Sequence, residues 1–209
     1  MVKIFYAKVD NKHTDALLER INELPLSEQK RIVSYKHKQK KLQKLVGRLL
    51  LADMLKSFGL NNELSLDQLI YDNNRSYFNH PFSFSIAHSS DYIVCVGCLD
   101  EKIMIGIDIE EILPIELSLY KDYFTDNEWN FIDNDTNRFF HLWTKKEAIL
   151  KASTLGVTTP LHTIDVVQDE AKYNETIYYC FNVYVDKNIS CYLACTAKIA
   201  DLVVECINV

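Results

Sequence analysis

The run Gly106-Ile107-Asp108-Ile109-Glu110 constrains the chain more than any other segment. Apolar and acidic residues alternate with the period of a strand, so Asp108 and Glu110 project from one face and Ile107 and Ile109 from the other. Two carboxylates this close repel each other, and a cation between them makes it easier to keep both ionised. The donors are oxygens, with no His or Cys nearby in sequence, which suits magnesium better than zinc. By themselves the five residues read equally well as a strand end carrying two solvated acids.

On either side of this strand the hydrophobic period changes repeatedly. Residues 2–9 predict a strand, and residues 14–24 predict a helix with Leu17, Leu18, Ile21 and Leu24 on one stripe. A second helical stretch starts near Ser27, breaks near Tyr35, and runs to a stop at Gly59. Residues 61–80 are polar and read as loop around Asn73, Asn74, Arg75 and Ser76. Strands are predicted at 82–87, 91–99 and 102–110, and helices at 126–134 and 137–152, while 115–123 is short and irregular. Residues 163–208 are mostly strand-like, rich in Val, Ile, Tyr and Thr. This order predicts an α+β fold of two halves, 1–103 and 104–209, packed without a Gly- or Pro-rich linker.

The 209 residues, 48% of them apolar, suffice to bury a substantial core. A net charge of −6 argues against a nucleic-acid binder. No run is long enough to span a bilayer, and the first residues lack the apolar block of a secretion signal, so a cytoplasmic protein is expected. Positive charge is nevertheless concentrated from Lys30 to Arg48, with Arg31, Lys36, Lys38, Lys40, Lys41 and Lys44 between them and no acid. This reads either as a solvated helix face or as a surface for an anionic ligand or partner. Cys95 and Cys98 are spaced like metal ligands, but three residues apart on a strand they face opposite ways. All six cysteines are expected to be core thiols.

Two further motifs bear chemistry. In Trp143-Thr144-Lys145-Lys146-Glu147-Ala148-Ile149-Leu150-Lys151, Glu147 and Lys151 share one helix face. They form either a surface ion pair or a carboxylate near a metal with a lysine placed for phosphate. In Phe84-Ser85-Ile86-Ala87-His88-Ser89-Ser90, an apolar strand ends in His-Ser-Ser, which reads either as a structural strand end or as hydrogen-bond donors suited to phosphate oxygens. Thr125-Asp126-Asn127-Glu128 reads first as a capping box, with an acid near the metal as the alternative role for Glu128.

FSIAHS, GIDIE and FFHLWTKKEAILKA occur in that order. This combination resembles the 4′-phosphopantetheinyl transferase superfamily, and most of all its monomeric surfactin-type branch. The family patterns are close to F-N-[IV]-S-H-S, G-[IV]-D-[IV]-E and [FW]-x-x-W-x-x-K-E-[AS]-x-x-K. With the helix at 27–58, the resemblance covers about residues 27–165. It implies a pseudo-twofold pair of similar α+β halves with coenzyme A between them. It implies magnesium, with manganese as an alternative, among Asp108, Glu110 and Glu147. His88, Ser89, Arg75, Lys44, Arg31 and Lys151 are then the expected contacts to coenzyme A, with Lys151 on the pyrophosphate and Arg31 and Lys44 near the 3′-phosphate.

The implied reaction transfers 4′-phosphopantetheine from coenzyme A to a serine of an apo acyl or peptidyl carrier protein. Asp108, Glu147 and Lys151 would be the catalytic residues. The products would be holo carrier and adenosine 3′,5′-bisphosphate. The chain departs from the family at Ser85 and Ala87, at Asn74-Arg75-Ser76 in place of G-[KR]-P, and at Lys40 and Gln43 in the early helix. Two rivals stand beside the transferase: a coenzyme A or carrier binder without transfer, and a magnesium phosphohydrolase acting on nucleotides.

Overall fold

The alternating apolar residues of Val2–Lys8 and Tyr92–Leu99 leave these segments almost wholly buried, and they pair as central strands. The structure, a computed structural model, describes residues 1–10, 14–72, 75–153 and 160–209. In chain order the strands and helices are β1 (Val2–Lys8), α1 (Thr14–Glu19), α2 (Leu26–Val33), α3 (Lys38–Ser57), β2 (Ile70–Asp72), β3 (Arg75–Tyr77), β4 (Phe82–Ser89) and β5 (Tyr92–Leu99). They continue with β6 (Ile105–Glu111), α4 (Asp126–Ile132), α5 (Thr136–Ala152), β7 (Glu170–Tyr173), β8 (Thr176–Asn182), β9 (Ile189–Cys195) and β10 (Leu202–Cys206). The chain is thus α+β, and it divides into one unit of Met1–Glu101 with Asp201–Val209 and another of Lys102–Ala200.

The first unit is a four-stranded sheet, β10-β1-β5-β4, with α3 packed on it. α3 places Leu45, Val46, Leu49, Leu50 and Met54 in the core, each at 4% exposure or less. Burial of each such side chain contributes about 1.5–3 kcal/mol. The helix ends in a Schellman motif: Gly59 takes a positive φ of 74°, its N–H bonds Lys56 O, and Leu60 N–H bonds Leu55 O. The break near Tyr35 separates α2 from α3. The helical stripe at 14–24 is α1 followed by a 3-10 turn at Arg20–Glu23.

Three readings change. The polar stretch 61–80 contains the antiparallel hairpin β2–β3, with Tyr71 opposite Ser76 and Asp72 opposite Arg75. Its strands are too short and too polar to show an alternation, which is why it reads as loop. Asn73 and Asn74 lie outside the described residues. β10 pairs in parallel with β1, Val2 facing Leu202, so residues 201–209 belong to the first sheet although a linear division at 103 groups them with the second half. Five cysteines are buried thiols, but Cys206 on this edge strand is exposed.

The second unit is an antiparallel sheet, β6-β9-β8-β7, with α5 packed on β6 and β9. Trp143 belongs to its core, stacked on Phe139 and edge-on to Tyr120 and Tyr123. α4 starts in the expected capping box: Thr125 Oγ1 accepts from Glu128 N–H, and a Glu128 carboxylate oxygen accepts from Thr125 N–H at 2.8 Å. Left-handed Asp133 and Asn134 end it, and Asp135 caps α5 by accepting from the N–H groups of Asn137 and Arg138. The closest approach of helix and sheet is at Gly106, where a Cβ would collide with the backbone of Ala148, Lys151 and Ala152.

Gly106→Ala therefore should lower unfolding free energy by about 3 kcal/mol in urea denaturation, because rigid backbone must move. Gly47→Ala, where the nearest atom is Ile86 Cγ2 at 3.2 Å, should stay within about 1 kcal/mol of wild type, helped by helix propensity. The Arg138 N–H, and then that of Asn137, holds the Asp135 carboxyl below its ordinary value. The stability it contributes is present above the unfolded-state value and is lost as pH falls through the folded one. Asp135→Ala should thus melt below wild type at neutral pH, with the gap closing in acid.

Candidate active site

β6 presents its two faces differently from a solvated strand end. Ile107 and Ile109 are fully buried on one face. On the other, Gly106 lets α5 lie against the strand, and Asp108 is only 4% exposed beneath it. Lys151 of α5 donates to Asp108 Oδ1 at 2.5 Å. Asp108 Oδ2 is buried and has no hydrogen-bond partner. Burial pushes the Asp108 carboxyl up, and the adjacent Lys151 ammonium opposes that rise. Glu110, two residues along the same face, is half-buried opposite Ser190.

Glu147 stands one turn before Lys151 on α5 and is half-buried. Burial raises its carboxyl, the Asp108 charge raises it further, and Lys151 counters. The structure thus gathers Asp108, Glu147 and Lys151 into one electrostatic cluster. Among the described residues no group of three His, Cys, Asp or Glu side chains is arranged to hold a metal ion. The donors nevertheless fit magnesium, which takes one or two carboxylates and fills its octahedron with water and substrate phosphates. A buried carboxylate oxygen without a partner is the feature such an ion satisfies.

The two lysines before Glu147 serve structure. Lys146 is fully buried, 2.7 Å from a Glu128 oxygen, and donates to the carbonyls of Leu161 and Ile164. Glu128 also accepts from Val166 N–H at 3.0 Å. Both Glu128 oxygens are therefore engaged in tying α4, α5 and the 161–166 segment together. Lys145 donates to Asp169 at 2.8 Å and to the carbonyls of Val166 and Gln168. Nothing in the sequence links Glu128 to Lys146 across 18 positions, so this pair was not foreseen.

The other expected contacts lie in the first unit. His88 and Ser89 end β4, half-buried, beside a turn at Ser90 with φ of 50°. Gln43 of α3 donates to Ser90 O at 3.0 Å, which ties this turn to the helix carrying Lys44. Arg31 on α2 stacks on the Tyr71 ring at 3.4 Å, and Tyr71 belongs to the hairpin that carries exposed Arg75. Arg31 and Arg75 are thus linked through one small element. Arg48 leaves the proposed basic surface: its side chain is 11% exposed and pairs with buried Glu28 at 2.7 Å. Lys30, Arg31, Lys36, Lys38 and Lys40 remain exposed.

Residues 104–198 match the 4′-phosphopantetheinyl transferase superfamily. The strand β6 and the helix α5, with their motifs, lie inside that matched segment. It is similar to the 4′-phosphopantetheinyl transferase Sfp of Bacillus subtilis strain 168, at 35% identity over 88 residues. That match covers 40% of this chain and 38% of the Bacillus protein, so the chain spans about two fifths of that relative's length. Similarity to the 4′-phosphopantetheinyl transferase gsp of Aneurinibacillus migulanus is longer, 24% over 191 residues, covering 86% of this chain and 76% of the other. The L-aminoadipate-semialdehyde dehydrogenase-phosphopantetheinyl transferase of Saccharomyces cerevisiae is 32% identical over 158 residues, 68% of this chain and 57% of that one. These similarities are to the surfactin-type branch.

Lys146→Met should leave the Glu128 charge buried and unbalanced, at a loss of about 3–5 kcal/mol in chemical denaturation. Glu128→Gln combined with Lys146→Met removes both charges and should recover much of that loss.

Proposed function

We propose that the protein transfers 4′-phosphopantetheine from coenzyme A to a serine of an apo acyl or peptidyl carrier protein. The observation that carries this reading is buried Asp108, with one oxygen on Lys151, the other without a partner, and Glu147 beside it. A pure binder has little need for such a costly arrangement of charge.

Asp108 and Glu110, with Glu147 next to them, would hold magnesium, or manganese in its place. A cation held there would supply positive charge against the negative charge that builds on the bridging pyrophosphate oxygen. Glu147, its carboxyl raised by burial and by Asp108, takes the proton of the carrier serine, directly or through a water. The serine oxygen bonds to the phosphorus bearing pantetheine as the bond to the bridging oxygen breaks. Lys151 balances charge on the departing adenosine 3′,5′-bisphosphate. His88, Ser89, Arg75, Lys44 and Arg31 bind the phosphates and nucleotide of coenzyme A. Exposed Lys30, Lys36 and Lys40 suit an acidic carrier.

Among the described residues no helix is long and apolar enough to cross a membrane.

Intact mass of apo carrier proteins after incubation with the protein, coenzyme A and magnesium tests this. The expected result is a gain of one phosphopantetheine, abolished by chelator, by Asp108→Ala or by Glu110→Ala, and reduced at least about a hundredfold by Glu147→Gln. Coenzyme A binding without modification of any carrier would leave a binding protein. Release of free phosphate or phosphopantetheine would make it a hydrolase.

A further inference from the structure

Glu28 is 2% exposed, an acid placed inside the first unit. Its Oε2 accepts from Arg48 Nε at 2.7 Å, and its Oε1 accepts from the Tyr71 hydroxyl at 2.5 Å. Arg48 closes the triangle by donating to that hydroxyl at 3.1 Å. The charges of Glu28 and Arg48 cancel within the triangle. Burial pushes the Tyr71 phenol up to about 12, so it remains a donor.

The ring of Tyr71 then carries the Arg31 guanidinium on its face, 3.4 Å from the centroid. Arg31 Nε lies 4.0 Å from Glu28 Oε1, an oxygen that the phenol already occupies. The surplus positive charge of the cluster therefore sits on Arg31, whose side chain is 46% exposed. A ring fixes its place, and the Glu28 oxygen beside it lies beyond hydrogen-bond distance. A guanidinium held this way is preorganised for a phosphate and loses little freedom on binding one.

We propose that Tyr71, clamped by Glu28 and Arg48, is a positioning residue that presents Arg31 to the terminal phosphate monoester at the nucleotide end of coenzyme A. It thereby sets the preference for a nucleotide bearing a 3′-phosphate. This rests on the coenzyme A reading above. The clamp also steadies the hairpin, since Tyr71 and Arg75 stand on its paired strands. The role comes from their geometry in this chain.

Calorimetric titration of the full chain with adenosine 3′,5′-bisphosphate and with adenosine 5′-monophosphate tests it. The readout is the ratio of the two affinities. Wild type should prefer the bisphosphate, and Arg31→Gln should abolish the preference. Tyr71→Leu should reduce it about tenfold through loss of the stacked guanidinium. Tyr71→Phe keeps the ring but frees it from the clamp, and should reduce the preference about threefold. If Tyr71→Leu does not fold, as thermal unfolding would reveal, Tyr71→Phe decides. An unchanged ratio in the folded variants, or equal weakening of both nucleotides, overturns the proposal. Coenzyme A bound with no preference between the nucleotides in wild type overturns it and leaves the transferase reading standing. No coenzyme A binding at all overturns both.

Discussion

The contact between Gly106 and the backbone of α5 is the constraint from which the second unit's chemistry follows. Any side chain at 106 would lift the helix off the strand. Because none is there, α5 lies low over β6, Asp108 is stripped of water, and Lys151 is brought onto it. Beneath that helix Asp108 has one oxygen satisfied by Lys151 and one buried oxygen without a hydrogen-bond partner. Packing at one position thus produces a buried negative charge that its own fold only partly answers.

Three buried acid–base pairs can be compared within this chain. Glu128 with Lys146 and Glu28 with Arg48 have both carboxylate oxygens engaged by protein donors. Asp108 with Lys151 does not. A pair with both oxygens engaged holds elements in register and offers a ligand no unengaged oxygen. The unsaturated one retains the capacity to bind. The distinction separates Lys146 from its neighbour Glu147: successive residues on one helix, the first turned inward as a tether, the second half-buried beside the incomplete pair.

Much of this was legible beforehand. Strict alternation at 106–110 and the helical spacing of Glu147 and Lys151 follow from local periods, and the capping box at Thr125 and the stop at Gly59 are written in adjacent residues. What escaped depends on partners far apart in sequence. Arg48 looked like part of a basic face because its acid, Glu28, lies a whole helix away and its phenol, Tyr71, sits in a segment too polar to show strand period. The sequence assigns Lys145 and Lys146 no role, and only tertiary structure supplies the carbonyls that bury them. The exposure of Cys206 follows from β10 being an edge.

The parallel pairing of β10 with β1 has a consequence in time. Val2 emerges during synthesis long before its partner Leu202, 200 positions further on. Until then β1 has β5 on one side and nothing on the other, although its own residues are buried in the finished sheet. A nascent chain must therefore carry an open, apolar strand edge while those intervening residues are made, the condition under which unfinished sheets recruit strands from neighbouring molecules. The hydrophobic seam of the first unit is sealed by a strand made long after the one it covers, so its order of folding is not its order of making.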